Sequence, residues 1–169
     1  IKLDATESTN TYLKELSAKK DLQDFTIILT ENQTSGRGQL NSKWESENSK
    51  NLTVSILKKN IGITVDHLYL MNVCVSLSIL ESLNQFNIPN LKVKWPNDIL
   101  SGNLKIGGIL IENIISGSKI KRSIIGLGLN VNQVKFKNAP NASSLKKIMG
   151  RDFNLDSVFY AIIENLHQQ

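Results

Sequence analysis

The amino-acid sequence predicts an α+β protein whose mixed, mostly antiparallel sheet is backed by helices. Two apolar segments, residues 104–115 and 119–131, flank Gly117-Ser118, an arrangement typical of an antiparallel β-hairpin. Segments with helical periodicity stand at the two ends and in the middle of the chain, and they do not alternate regularly with strands. This grouping favours the α+β class over an alternating α/β fold.

The first third of the chain begins with a predicted helix that ends near Lys20 and has one apolar side. Its capping candidates are Thr6, Ser8 and Thr9, and its apolar side comprises Tyr12, Leu13 and Leu16. Residues 25–31 predict a buried strand and residues 52–57 a second, alternating strand. The polar residues between them, 32–50, are too many for a plain turn. We therefore expect a functional loop or a disordered one there.

The middle of the chain predicts one long helix over residues 68–86, with Asp66 as its cap. Cys74 lies among apolar residues of this helix, so a buried core thiol is the expected state and a reactive thiol is the alternative. A single cysteine can form no disulfide within one chain, which fits a reducing cytoplasm. Farther on, residues 91–95 predict a short strand, Gly102-Asn103 a turn, and residues 155–166 the last helix.

Composition sets broad limits on the function. A chain of 169 residues that is 40% hydrophobic can bury one sizeable core, so we expect one domain. Its apolar runs fall short of the 18 or so residues that cross a bilayer, and no basic-then-apolar leader opens it. We therefore expect no membrane partner and a cytoplasmic location. The net charge of +5 favours anionic partners without choosing among nucleic acid, nucleotides and acidic proteins.

The richest motif runs from Lys92 to Asp98 and reads Lys-Val-Lys-Trp-Pro-Asn-Asp, with Lys105-Ile-Gly-Gly-Ile-Leu shortly after it. Lysines suit phosphates and carboxylates, and paired glycines let a ligand approach the backbone. Asn97 and Asp98 can hold hydroxyl groups or a hydrated Mg²⁺. In the alternative interpretation, Pro96-Asn97-Asp98 is only a turn and the lysines form a solvated strand face.

Three further motifs accompany this one. They are Thr6-Glu-Ser-Thr-Asn10, the stretch Glu31-Asn-Gln-Thr-Ser-Gly-Arg-Gly-Gln39 with Trp44-Glu-Ser46 behind it, and Gly126-Leu-Gly-Leu-Asn130-Val-Asn132. In this order and spacing, the four segments resemble the catalytic domain of biotin protein ligases, also called biotin–acetyl-CoA-carboxylase ligases, over nearly the whole chain. The resemblance implies the fold of biotinyl and lipoyl ligases, which is related to class II aminoacyl-tRNA synthetase cores.

The resemblance also implies a two-step reaction. Biotin and ATP give biotinyl-5′-adenylate and pyrophosphate, with Mg²⁺ on the phosphates, and a lysine of a biotin carboxyl carrier protein then attacks the acyl carbon. That carrier would belong to acetyl-CoA carboxylase or another biotin-dependent enzyme. A lipoate or octanoate protein ligase shares this fold and chemistry and remains the alternative. A nucleic-acid binder is disfavoured because no helix-turn-helix, zinc finger or aromatic stacking platform is found.

The resemblance assigns roles to individual residues. Lys105 and Arg37 are the expected catalytic residues, with Lys105 placed where the biotin carboxylate and the α-phosphate meet. The expected biotin-binding residues are Ser8, Thr9, Asn10, Gln33, Gly36, Arg37, Lys105, Gly108, Leu110, Gly126 and Gly128. The expected ATP-binding residues are Arg37, Gly38, Trp44, Lys94, Asn97, Asp98 and Asn130. No metal ligand set made of protein side chains alone is expected.

Several of these roles have a plain structural alternative. Ser8 and Thr9 could serve only as helix caps, Lys105 could be a strand-edge lysine, and Lys92 has the same strand parity as Lys94. Trp44 and Trp95 are candidate walls of the ligand site. Trp44 is expected near the ligand or the adenine, and a core position is the alternative for Trp95. The glycines should form a close floor on which the flat biotin ring lies.

The loop departs from the best-known family pattern, because it carries Gln39-Leu-Asn-Ser42 where further arginines and a glycine are usual. The resemblance implies that the loop closes over the adenylate, and this departure bears on closure and on retention of the intermediate. We expect residues 1–169 to form one catalytic domain, with no N-terminal DNA-binding domain and without the small β domain that usually follows. Either the chain is shortened or the protein lacks that domain, and composition leaves a homodimer open.

Overall fold

In the computed structural model, which describes residues 1–117, 119–137 and 139–168, seven strands of the described chain form one sheet in the order β1-β2-β5-β9-β8-β7-β6. These strands are β1 Lys2–Thr6, β2 Ile27–Gln33, β5 Leu52–Lys59, β6 Leu91–Lys94, β7 Asp98–Ser101, β8 Leu104–Ser116 and β9 Lys119–Leu129. β1 runs parallel to β2, and every other neighbouring pair in the sheet is antiparallel. The predicted α+β class is confirmed.

A separate two-stranded hairpin lies between β2 and β5. It pairs β3 Gly36–Arg37 with β4 Lys43–Trp44, and a 3-10 turn, Gln39–Asn41, joins them. The disordered alternative for residues 32–50 is therefore wrong for this part, and the hairpin itself was not predicted. β3 and β4 have two residues each and include a glycine and two charged residues. The alternation of apolar and polar residues that predicts a strand is therefore missing from the sequence here.

Four helices of the described chain complete the fold: α1 Thr9–Lys19, α2 Tyr69–Asn84, α3 Leu145–Met149 and α4 Leu155–His167. α1 begins as expected, because the Ser8 side chain accepts a hydrogen bond from the backbone N–H of Thr11. α2 does not begin at Asp66. That residue lies in a 3-10 turn, Val65–His67, and Leu68 stands at the helix start without a side-chain cap.

The other boundaries follow the sequence with local shifts. The long hairpin of β8 and β9 is confirmed, although Ser118 of its predicted turn lies outside the described residues. β2 starts at Ile27 and not at residue 25, because Phe25 adopts a positive φ of 62°, which a strand cannot include. β1, β7 and α3 were not predicted, and each is short.

Helices cover the two faces of the sheet unequally. α2 and α4 pack on one face, where the main core gathers Val54, Ile79, Leu127 and Val158 among others. α1 packs on the other face over a smaller cluster of Leu13, Ile28, Leu57 and Ile124. Because α1 is short, part of this second face stays uncovered, and the candidate site lies there. No helix in the described residues has both the length and the apolar character that crossing a membrane would require.

Two burial predictions are wrong. Cys74 is exposed, because the buried stripe of α2 runs through Met71, Val75 and Ile79, and a residue one position before Val75 points away from that stripe. Tyr12 is likewise exposed, whereas its neighbour Leu13 is fully buried.

Candidate functional site

A pocket of about 320 Å³ lies on the uncovered face of the sheet, which is within the size range of small-molecule sites. Its floor comes from β5, β8 and β9. The start of α1 forms one wall, the β3–β4 hairpin a second, and the turn from β6 to β7 a third. The four motifs of the sequence thus meet in one place.

The wall at the start of α1 is a buried cluster of hydroxyl and amide groups. Both the backbone N–H and the hydroxyl of Thr9 donate to Oε1 of Gln33, at 3.0 and 3.3 Å. The hydroxyl of Ser55 lies 2.8 Å from that of Thr9 and 2.6 Å from Oδ1 of Asn10. Ser8 caps the helix and also lines the pocket, so capping and a binding role are compatible.

One carboxylate joins this wall to the hairpin. Glu112 of β8 accepts from Nη2 of Arg37 at 2.6 Å, from Nδ2 of Asn10 at 3.0 Å and from Nζ of Lys14 at 3.3 Å. Burial alone would raise the pKa of Glu112. The hydrogen bond from Asn10 and the positive charges of Arg37 and Lys14 outweigh that effect, so its pKa lies below the ordinary value.

The glycine floor is covered by two side chains of the protein. A Cβ on Gly128 would come closer than 3.0 Å to the indole of Trp44, and one on Gly108 would meet the same ring at 3.3 Å. A Cβ on Gly126 would overlap the carboxamide of Asn10. The structure therefore places Trp44 and Asn10 where the sequence interpretation expected only the flat ring of a ligand.

Cationic groups gather at the opposite end of the pocket. Nζ of Lys105 lies 2.6 Å from Oδ1 of Asp98 and 5.8 Å from the centroid of the Trp44 ring. Lys94 lines the pocket, whereas Lys92 is not among the lining residues and donates to Asn103. This end can therefore attract an anion while Asp98 balances part of the charge.

The turn between β6 and β7, residues 95–97, is hydrogen-bonded to the floor strand β8. Nδ2 of Asn97 donates to the carbonyl of Ile109 at 3.0 Å, so this amide holds the turn against β8. Trp95, a candidate wall with a core position as its alternative, lines the pocket and is 59% exposed. The core alternative is wrong because Trp95 directly follows β6, an edge strand of the sheet.

Two buried polar atoms near the floor lack a hydrogen-bond partner among the described residues. They are Nε1 of Trp44, a donor, and Oδ1 of Asn130, an acceptor. Asn130 uses its Nδ2 on the carbonyl of Ser143 at 3.0 Å. Buried polar groups are seldom left unpaired in native proteins. Trp44 lines the pocket, so an acceptor group on a ligand would satisfy its Nε1, whereas Asn130 is not among the lining residues.

The structure brings together most of the predicted site residues and sets two apart. Gly36 and Asn130 do not line the pocket. Gly36 instead packs against the Trp44 backbone and the Gln33 side chain. The remaining predicted residues all line it: Ser8, Thr9, Asn10, Gln33, Arg37, Gly38, Trp44, Lys94, Asn97, Asp98, Lys105, Gly108, Leu110, Gly126 and Gly128.

The sequence interpretation missed Ser55, Thr53 and Glu112. Ser55 and Thr53 are buried polar residues at alternate positions of β5, and Glu112 is a lone acid in the apolar strand β8. Buried polar side chains in strands need hydrogen-bond partners. Their presence in these strands was the sequence signal that could have identified the three residues. Among the described residues, no three His, Cys, Asp or Glu side chains come together as a metal site.

Comparison with known proteins gives a consistent picture. The profile of the biotin/lipoate A/B protein ligase family matches residues 3–130. The bifunctional ligase/repressor BirA of Bacillus subtilis is 28% identical over 130 residues, which are 77% of this chain and 39% of that protein. The biotin–[acetyl-CoA-carboxylase] ligase of Mycobacterium tuberculosis is 29% identical over 83% of this chain and 52% of its own length. The chain thus spans about half or less of these curated relatives.

The fold matches a solved structure as well. The biotin protein ligase of Aquifex aeolicus, in complex with biotin and ATP, superimposes with a TM-score of 0.85 at 29% identity. The match covers 99% of this chain and 68% of that one. The pocket therefore lies in a fold that accommodates both molecules in a similar protein.

Proposed function

The chain belongs to the biotin/lipoate A/B protein ligase family, and we propose that it is the catalytic part of an ATP-dependent biotin protein ligase. One observation carries the proposal. The hydroxyl and amide cluster of Thr9, Asn10 and Gln33 and the cationic end around Lys105 open into the same pocket, so one bound molecule with a polar head and an acidic tail can contact both.

The polar cluster suits the ureido head of biotin. A cyclic urea offers one carbonyl acceptor and two N–H donors, and the cluster supplies hydroxyl donors together with amide oxygens as acceptors. The clustered side chains of Thr9 and Asn10 are almost fully buried and held by Ser55. Such a preorganised site can bind a polar ring without large rearrangement. Leu110 and the indole of Trp44, which covers the glycine floor, offer apolar surface for the thioether ring and tail.

The cationic end suits the nucleotide phosphates. Lys105 would contact the biotin carboxylate and the α-phosphate together, and Lys94 would support the phosphates from the end of the neighbouring strand β6. Asn130 does not line the pocket, but its Oδ1 is buried without a partner among the described residues, and we retain it as the expected contact of the adenine amino group. Asp98 fits a Mg²⁺ ion carried by the phosphates, because Mg²⁺ commonly uses one or two carboxylates together with substrate oxygens. The ion would neutralise charge that develops on the phosphates.

The chemistry then follows from charge. A carboxylate oxygen of biotin attacks the α-phosphorus of ATP, the new P–O bond forms, and the bond to pyrophosphate breaks. Two anions must approach each other, and the ammonium group of Lys105 lowers that repulsion. In the second step the neutral amine of a carrier lysine attacks the acyl carbon, AMP leaves, and the amine loses its extra proton.

The hairpin of β3 and β4 is positioned to shield the intermediate from water. Arg37, Gly38 and Trp44 all line the pocket from this hairpin, and exclusion of water would protect a reactive acyl-adenylate from hydrolysis. Leu40 at its tip is 99% exposed, so the hairpin has an apolar residue available for contact when a partner arrives.

The second substrate would be the biotin carboxyl carrier protein of acetyl-CoA carboxylase or another biotin-dependent enzyme. The edge strand β6 presents Lys92 and Lys94 beside the pocket, and an acidic carrier segment could pair along it. This basic edge would speed encounter with such a carrier. We place the reaction in the cytoplasm, where the single cysteine stays reduced. A homodimer is also possible, and its interface would have to leave the β6 edge free for the carrier.

The decisive experiment measures pyrophosphate release with MgATP and either biotin or lipoate. We expect release with biotin and none above background with lipoate, followed by biotin transfer to a purified carrier domain. Preference for lipoate or octanoate would replace this proposal with the alternative activity of the same family. Absence of release with either acid would refute adenylation by this chain.

A further inference from the structure

We propose that Glu112 is the positioning residue of the site: its carboxylate anchors the β3–β4 hairpin to the sheet through Arg37 and fixes the orientation of Asn10. The test of this inference by adenylate retention rests on the proposed function. Its test by hydrogen exchange of the hairpin without ligand does not.

Glu112 connects three elements of the fold through one carboxylate. Arg37 belongs to the hairpin, Asn10 and Lys14 to α1, and Glu112 itself to β8. The Arg37 and Asn10 donors share the same oxygen, Oε2, at 2.6 and 3.0 Å. Charge-assisted hydrogen bonds of this length are among the stronger polar contacts in proteins.

The burial of this carboxylate makes the contacts mutually dependent. The Glu112 side chain is only 19% exposed, whereas that of Arg37 is 45% exposed. A half-buried carboxylate stays ionised only when donors offset the lost hydration. Its pKa below the ordinary value accords with this arrangement. Removal of Arg37 leaves Lys14 as the remaining cation beside Glu112, and removal of the Glu112 charge leaves the half-exposed guanidinium of Arg37 without its anchor on the sheet.

The location of Arg37 changes the role expected of it. Glu112 lies four residues beyond Gly108 along β8, which corresponds to roughly 13 Å at the rise of an extended strand. Gly108 is beside Lys105. The guanidinium of Arg37 is therefore held at the end of the pocket where Asn10 lies, and the phosphate end is served by the lysines. Arg37 acts as the anchor through which Glu112 holds the hairpin over the pocket.

Asn10 is oriented by the same carboxylate. Its Nδ2 is shared between Glu112 and the carbonyl of Leu110 at 3.1 Å, which leaves Oδ1 facing Ser55 and the space above Gly126. A rotation of the carboxamide would exchange donor and acceptor toward the pocket. Glu112 therefore acts with the Leu110 carbonyl and the Ser55 hydroxyl to fix which polar group of Asn10 a bound ring meets.

The test compares Glu112→Gln, Arg37→Ala and the double variant with the parental chain. Asp24→Asn is the matched control, because Asp24 also pairs with a lysine, Lys58 at 3.0 Å, but lies outside the pocket. The first readout is hydrogen exchange of the backbone amides of residues 36–44 without any ligand. The second is the half-life of adenylate retained after a chase with unlabelled biotin, alongside a melting curve.

We expect both single variants to accelerate hairpin exchange and adenylate loss by about tenfold, as for the loss of one charge-assisted hydrogen bond. The double variant should be no faster than Arg37→Ala, because the two residues act through one contact. Asp24→Asn should match the parental chain in both readouts. Parental hairpin exchange in Arg37→Ala, or multiplied effects in the double variant, would overturn the inference. If the parental chain forms no adenylate, the proposed function fails, and the exchange measurement still decides the role of Glu112.

Discussion

Lys105 and Asp98 form an ion pair across neighbouring strands, with Nζ and Oδ1 2.6 Å apart. Asp98 stands at the start of β7, directly after the turn that carries Trp95 and Pro96. The pair brings the two halves of the lysine-rich motif together at one end of the pocket. It also holds the ammonium group of Lys105 beside the floor before any anion arrives, which is the kind of preorganisation that catalysis uses.

Lys105→Ala should therefore abolish most adenylation and leave the fold intact. Loss of one preorganised charge costs about 10²- to 10³-fold in rate, whereas a surface lysine replacement usually changes stability by about 0.5 kcal/mol or less. Pyrophosphate release with saturating biotin and MgATP, together with a melting curve, measures both effects. Lys121→Ala on the exposed side of β9 is the control. Release at the parental rate would return Lys105 to the role of a strand-edge lysine.

Gly128→Ala should displace the indole of Trp44 and weaken ligand binding. The new Cβ would overlap that ring, and forcing an extra methyl group into packed structure costs about 1 to 3 kcal/mol. A Trp95→Phe background leaves Trp44 as the sole tryptophan of the sequence, so its fluorescence reports the displacement. We expect emission at longer wavelength in the variant. Unchanged emission and unchanged biotin affinity would argue against the packing of Trp44 on the floor.

Biotin and ATP should bind in a coupled manner, with biotin first. The hairpin lines both ends of the pocket, and a bound carboxylate with an ordered hairpin would complete the nucleotide site. Calorimetric titration of ATP, with and without saturating biotin, measures the coupling free energy directly. We expect a tighter ATP dissociation constant in the presence of biotin. Equal ATP affinity in the two titrations would show that the sites are independent.

Acid should selectively remove the stability that Glu112 contributes. Because the pKa of Glu112 in the folded chain lies below its ordinary value of 4.5, this contribution is fully present above about pH 4.5 and declines as the pH falls through the lower folded value. Unfolding free energies of the parental chain and of Glu112→Gln should therefore differ at pH 7 and converge below pH 4.5. The comparison cancels the effects of Asp24 and Glu31, whose pKa values are also lowered. A difference in unfolding free energy between the two chains that stays constant down to pH 3 would contradict the prediction.

The sequence by itself determined the elements whose signal is local. The long hairpin of β8 and β9, the caps of α1 and the extent of α4 follow from apolar periodicity, turn residues and hydroxyl groups within a few positions. The four motifs likewise predicted most of the residues that line the pocket. Local patterns suffice for these features because each element is stabilised mainly by its own backbone geometry and by one apolar face.

Tertiary structure decided the features that depend on contacts far apart in the chain. The short strand β1 exists because it pairs in parallel with β2, and the exposure of Cys74 depends on which stripe of α2 meets the core. The contact of Glu112 with Arg37 spans 75 positions, and the indole of Trp44 reaches the glycines of β8 and β9. Sequence patterns carry residue type and spacing, whereas these contacts arise only when the sheet order brings distant side chains onto one face.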